Sequence, residues 1–109
     1  MRLPSLALLA CLLASPAAAQ DTAQHHQMSG FHGAMAAMQE QMGKVPTSGD
    51  PDVDFATMMI PHHQGAIDMA EAELAHGTDP ELRRLAEEII AAQEREIAFL
   101  RQWLQKHAK

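Results

Sequence analysis

Apolar positions along this chain recur every three or four residues, which predicts helices and no strands. The clearest predicted helix runs from Pro80 to Lys106. Asp79 stands as its N-cap, Pro80 takes the first helical position, and Glu81 complements the helix dipole. Its inward face reads Leu82, Leu85, Ala86, Ile89, Ile90, Ala92, Ile97, Phe99, Leu100, Trp103 and Leu104. Arg83–Glu87 and Arg84–Glu88, on the outer face, are spaced for i,i+4 pairing.

A second helix is predicted from about Asp54 to His76. Its inward arc holds Phe55, Met58, Met59, His62, His63, Ala66, Ile67, Met69, Ala70 and Leu74, while Thr57, Gln64, Asp68 and Glu71 fall opposite. That phase continues through Pro61, so the segment reads as one helix with a bend, not two. Gly77 reads as the C′ residue that ends it, and His76 as a cation complementing the dipole. With only Gly77-Thr78-Asp79 between them, these two helices must form an antiparallel hairpin.

A shorter first helix is predicted over Ser29 to Met42, weakened by Gly30 and Gly33. Met28, Phe31, Met35, Met38 and Met42 make a stripe at helical spacing, with His32 and His25 at its border. Residues 43–53, with Pro46, Gly49 and Pro51, read as a linker. Residues 20–28 are polar and read as a flexible lead-in, so that 29–109 forms a single helical domain.

Residues 1–19 read as a secretory signal. Arg2 gives a minimal positive start, Leu3 to Ala14 a short apolar run, and Ala17-Ala18-Ala19 a small-residue cleavage pattern. The run is shorter than the ~20 residues that span a bilayer, so no membrane insertion is expected after cleavage. Periplasmic or secreted placement follows. Cleavage after Ala19 would leave 90 residues with seven of the eight methionines and without the single Cys, Cys11. Thioether and imidazole are the soft donors that survive an oxidising compartment, where thiolates would not. Seven basic against 14 acidic residues would remain, which argues against nucleic acid or an anionic membrane as partner.

Chemistry concentrates in Met58-Met59-Ile60-Pro61-His62-His63. Two polar residues, Gln93 and Glu96, interrupt the third helix's apolar face. Folding the chain about Thr78 sets them at the level of His62 and His63. Two readings remain open here. Met58, Met59, His62 and His63 could ligate a soft metal while Glu96 or Gln93 holds the other imidazole N–H. Alternatively, the same residues form a hydrogen-bonded core network with packed methionines. Glu73-Leu74-Ala75-His76 matches the Glu-x-x-His of di-iron bundles, but it occurs once and beside the turn, whereas that chemistry needs two such motifs at mid-bundle.

The run Asp54-Phe55, Met58-Met59-Ile60-Pro61-His62-His63-Gln64-Gly65-Ala66-Ile67-Asp68-Met69-Ala70, with Leu85-Ala86, Ile89-Ile90, Gln93, Glu96-Ile97 and Trp103-Leu104, resembles the bacterial domain-of-unknown-function family numbered 305. The likeness covers residues 52–105. It implies an all-α, ferritin-like helical bundle built on a long antiparallel hairpin plus a shorter Met-rich N-terminal helix. It also implies an exported copper-binding protein, a Cu(I) buffer or metallochaperone contributing to periplasmic copper tolerance, with no enzymatic activity. Ag(I) would serve as a mimic, and a copper-handling protein and a second copy of the chain are expected partners. By position the implied ligands are Met58, Met59, His62, His63 and Met69, joined by Met28, His32, Met35 and Met38. Leu100 stands where relatives often carry another Met. The rival expectations are a metal-free helical assembly module and a metal-dependent oxidase.

Overall fold

The computed structural model describes residues 16–107, with side chains from Gly30 to His107. The expected signal segment therefore lies largely outside the described residues. Among them the chain forms three helices and no strands: α1 (Pro16–Gly43), α2 (Pro51–His76) and α3 (Pro80–His107).

Both hairpin helices start on the same chemistry. Asp79 accepts the backbone N–H of Glu81 at 3.0 Å and of Leu82 at 2.9 Å. Asp50 accepts those of Asp52 at 3.0 Å and Val53 at 3.5 Å, with Pro51 at the helix start. The second helix thus begins three residues before the expected Asp54. An Asp-Pro pair satisfies donors that a helix start leaves orphaned. Ser48 reinforces this start by donating its backbone N–H to Asp54 at 2.7 Å. The first helix also starts earlier than expected, so residues 20–28 carry helical backbone.

The turn differs from the expectation in two ways. Gly77 ends α2 in extended backbone, at φ −74° and ψ 152°, not in the left-handed conformation of a C′ glycine. Arg83, expected to pair with Glu87, instead sends its guanidinium back across the turn to the carbonyls of Leu74 at 2.8 Å and Gly77 at 2.9 Å. Unsatisfied carbonyls at a helix end attract a cationic donor more strongly than an exposed i,i+4 carboxylate does. Arg84 does face Glu88, at 3.7 Å. His107 stacks on Trp103 with ring centroids 4.3 Å apart, so α3 stays ordered to its last described residue.

α2 is the middle helix. It packs on α3 along one side and on α1 along another, and α1 and α3 do not pack on each other among the described residues. The buried apolar residues are Ala34 of α1, Ala56, Ile67 and Ala70 of α2, and Ala86, Ile97 and Leu100 of α3. Small side chains let the backbones approach closely, which makes this core thin. Gly65 marks the closest approach of α1 to α2. A Cβ there would stand 2.8 Å from Cβ of Met38, so Met38 seats where only hydrogen fits.

The expected inward arcs were too wide. Phe55 (62% exposed), Leu82 (54%) and Phe99 (65%) remain open to solvent, as do Leu85, Met58 and Met69. Periodicity gives the direction of an apolar face. How much of that face is covered depends on how many neighbours the helix has, and each hairpin helix has too few to cover its whole arc.

Candidate functional site

Adjacent residues on a helix point about 100° apart, and that rotation splits the Met and His doublets. Met59 and His63 turn toward α3, while Met58 and His62 turn away from it. One residue's offset separates two Met–His pairs, each at i,i+4 spacing.

His63 is the one buried polar residue among those described, 8% exposed. Its Nε2 meets the carboxylate of Glu96 on α3, so one of the two expected partners of the imidazole is in place. Nδ1 of the same ring is buried without a hydrogen-bond partner, and Gln93, the other expected partner, does not reach it. A buried imidazole nitrogen left without a partner is costly, and it is a feature that ligand binding can explain. Met59 is half-buried beside it. With Phe55, His63, Glu96, Phe99 and Leu100 it lines a groove of about 280 Å³. Leu100 gives that groove an apolar wall beside Met59.

The other pair lies open. His62 is exposed, with its ring centroid 6.0 Å from that of His63 and tilted by 57°. Met58 and Met69 share the exposed side of α2, at 40% and 39% exposure. Met58 and Met69 are three helical turns apart, about 16 Å at 1.5 Å per residue, so they cannot ligate one ion together.

The first helix brings its donors to the same side. Contacts of Met38 with Gly65 and of Gly30 with Ala72 fix an antiparallel register, which sets Met35 level with Asp68 and Met69. Phe31, one turn before Met35, lines an apolar groove with Ala66, Met69, Leu85 and Ile89. Met35 is 42% exposed, and His32 is exposed too. Met38 is instead engaged in packing on Gly65. Met28 lies on α1, but its side chain is outside the described ones.

Sequence reasoning missed two positioning residues, Gly65 and Arg83. The signal for the first was a glycine inside a strongly periodic helix, where it costs helix stability unless something must approach closely. Among the described residues no three His, Cys, Asp or Glu side chains gather as a metal-binding group.

The family model described as Domain of unknown function (DUF305) matches residues 7–104. The chain belongs to the DUF305 family. Its match extends over α1 as well as the hairpin. No curated protein matches the chain. No helix among the described residues is long and apolar enough to cross a membrane.

Proposed function

We propose that this DUF305 protein is an exported copper-binding protein that takes up Cu(I) through thioether and imidazole groups, as a buffer or metallochaperone in the periplasm. The observation that carries the reading is where the methionines sit. Met filling gaps in a core would be buried, yet Met35, Met58 and Met69 are each about two-fifths exposed while Ala, Ile and Leu make up the core. Exposed thioethers gain little for folding. Beside an imidazole they form a donor set matched to a soft monovalent ion.

Met58 and His62 are the leading ligands, with Met69 and Met35 as a second pair of donors one level along. Met59 and His63 contribute from the α3 side, where Glu96 orients the ring. His32, Met38 and Met28 are ligands of lower rank, because Met38 already has a packing role. Export is supported by the 1–19 pattern and by the absence of Cys from the rest of the chain. The same proposal takes the fold as ferritin-like, the hairpin being its repeating half, and takes a copper-handling protein as recipient of the ion. An oxidase reading has less behind it, because Glu73-Leu74-Ala75-His76 occurs once and beside the turn, where two such motifs at mid-bundle are needed.

A titration of Cu(I) against a competing chelator tests this, with Ag(I) as a second probe. The wild-type chain should compete, and Met58→Ala/His62→Ala should bind at least tenfold more weakly. Binding no tighter than that of an unrelated Met-rich control would leave the exposed apolar residues as the dominant feature, and the protein as a metal-free assembly module.

A further inference from the structure

Among the described residues α1 packs on α2 alone. Ala34 is the single buried apolar residue that α1 contributes there. Its closest contact is the seat of Met38. A Cβ built on Gly65 would stand 2.6 Å from Sδ of Met38 and 2.8 Å from its Cγ and Cβ, so the thioether and its stem lie against the Gly65 backbone. Packing this close depends on the shape and polarity of the group that makes it. The apolar core of the hairpin uses Ala, Ile and Leu, whereas this seat uses a side chain whose polarity can be changed chemically.

The seat is open on one side. Met38 is half-buried and lines a cavity of about 370 Å³, whose walls include Gln41 of α1, Pro61 and Gln64 of α2, and Arg101 of α3. A molecule of a few atoms fits that volume and meets the sulfur. Oxygen-transfer oxidants convert a thioether to a sulfoxide, which is polar and accepts hydrogen bonds. The Gly65 backbone has no donor to offer it, because inside a helix each N–H is already bonded to the carbonyl four residues back. The donors are on the cavity side, in the amides of Gln41 and Gln64 and the guanidinium of Arg101.

We infer that Met38 is a modification site, at which a reversible sulfoxide turns the side chain off Gly65 toward those donors and undocks α1 from the hairpin. With hypochlorous acid as the oxidant, the sulfur gives an electron pair to its oxygen. The S–O bond forms as the O–Cl bond breaks, chlorine leaves as chloride, and the hydroxyl proton passes to water. Sulfur is oxidised by two electrons and chlorine reduced by two. A thiol-dependent sulfoxide reductase reverses the step, the oxygen leaving as water while two thiols join as a disulfide. Met35, Met58 and Met69 take the same oxygen, but each is about two-fifths exposed, so their sulfoxides stay in water and leave the packing as it is. The inference rests on the docking of α1 and on no metal.

Amide hydrogen exchange of the metal-free chain tests it, read by mass spectrometry with each sulfoxide located by peptide sequencing. As hypochlorous acid is added, protection over residues 30–43 should fall about tenfold or more, in step with sulfoxide at Met38, while α3 stays within about twofold. Treatment with the reductase should restore it. Met35→Leu/Met58→Leu/Met69→Leu should respond as the wild type does. Gly65→Ala, in which the seat is already lost, should exchange fast in α1 beforehand and change less than about twofold on oxidation. Complete sulfoxide at Met38 with α1 still protected overturns the inference. So does a Met38 that remains a thioether in excess oxidant after Met35, Met58 and Met69 are converted. Protection lost equally from α3, or lost in step with one of the three exposed methionines and retained in the triple variant, overturns it as well.

Discussion

Met59–His63 and Met58–His62 are chemically the same pair, one residue apart, on one helix. The first faces α3: its imidazole is buried and tied to Glu96. The second faces solvent within the chain, its thioether two-fifths exposed and its imidazole exposed as well. A doublet on a helix is therefore a way to give one motif two environments, since a single step of rotation carries a side chain from the helix interface to the surface. The buried member ties α2 to α3 through Glu96, and the exposed member lies open to solvent.

The largest test of that division is His63→Ala. It removes a buried ring and its tie to the largely exposed Glu96, and should cost about 1–3 kcal/mol in urea denaturation. A cost below ~0.5 kcal/mol would show that the two pairs do not differ structurally. Next comes Met58→Ala/His62→Ala, for which the loss should appear in Cu(I) competition as at least tenfold, about 1.4 kcal/mol. Its stability should stay within about 0.5 kcal/mol of wild type, as at other surface positions. Opposite responses of the two variants would sharpen the comparison, and equal responses would break it.

Gly65→Ala probes the third participant, α1. The added methyl meets Met38 Cβ, and displacing α1 should cost about 1 kcal/mol after any gain in helix propensity. Thermal unfolding read in the far ultraviolet would detect it, and a stabilised variant would mean that Met38 does not seat there. The smallest effect concerns Asp54, whose carboxyl pKa is lowered by hydrogen bonds from Ser48, the hydroxyl first and the backbone N–H next. A carboxyl whose pKa is depressed by folding stabilises the fold above its unfolded pKa and loses that contribution as pH falls through the folded value. Ser48→Ala should therefore reduce stability slightly at neutral pH, and the difference from wild type should close in acid. A gap that widened below pH 4 would contradict the assignment.

Much of this could be read from residues near one another in sequence. Asp79-Pro80 located the start of α3, and counting across a three-residue turn placed Glu96 at the level of His63. The equivalent Asp50-Pro51 is harder to read because it sits among the prolines and glycines of a linker. Arg83 was assigned by spacing to Glu87, although two open carbonyls across the turn were nearer in energy. The seat of Met38 on Gly65 joins residues far apart in sequence, and no local pattern encodes it. Burial was the least legible quantity. Phe55 and Phe99 obey the helical period of the core without being in it, because periodicity does not count the neighbours that cover a face.

The turn at Gly77-Thr78-Asp79 also sets an order of events. With three residues between helices and Arg83 holding the last carbonyls of α2, the hairpin pays little loop-closure entropy and is built from contacts near in sequence. α1 reaches α2 only across the longer segment 44–50 and docks through fewer close contacts, of which Met38 on Gly65 is the tightest. The hairpin should therefore form first, with folding and unfolding rates across urea concentrations as the check. The Met-rich helix should dock later, so that weakening its seat by Gly65→Ala quickens unfolding while leaving the folding rate almost unchanged.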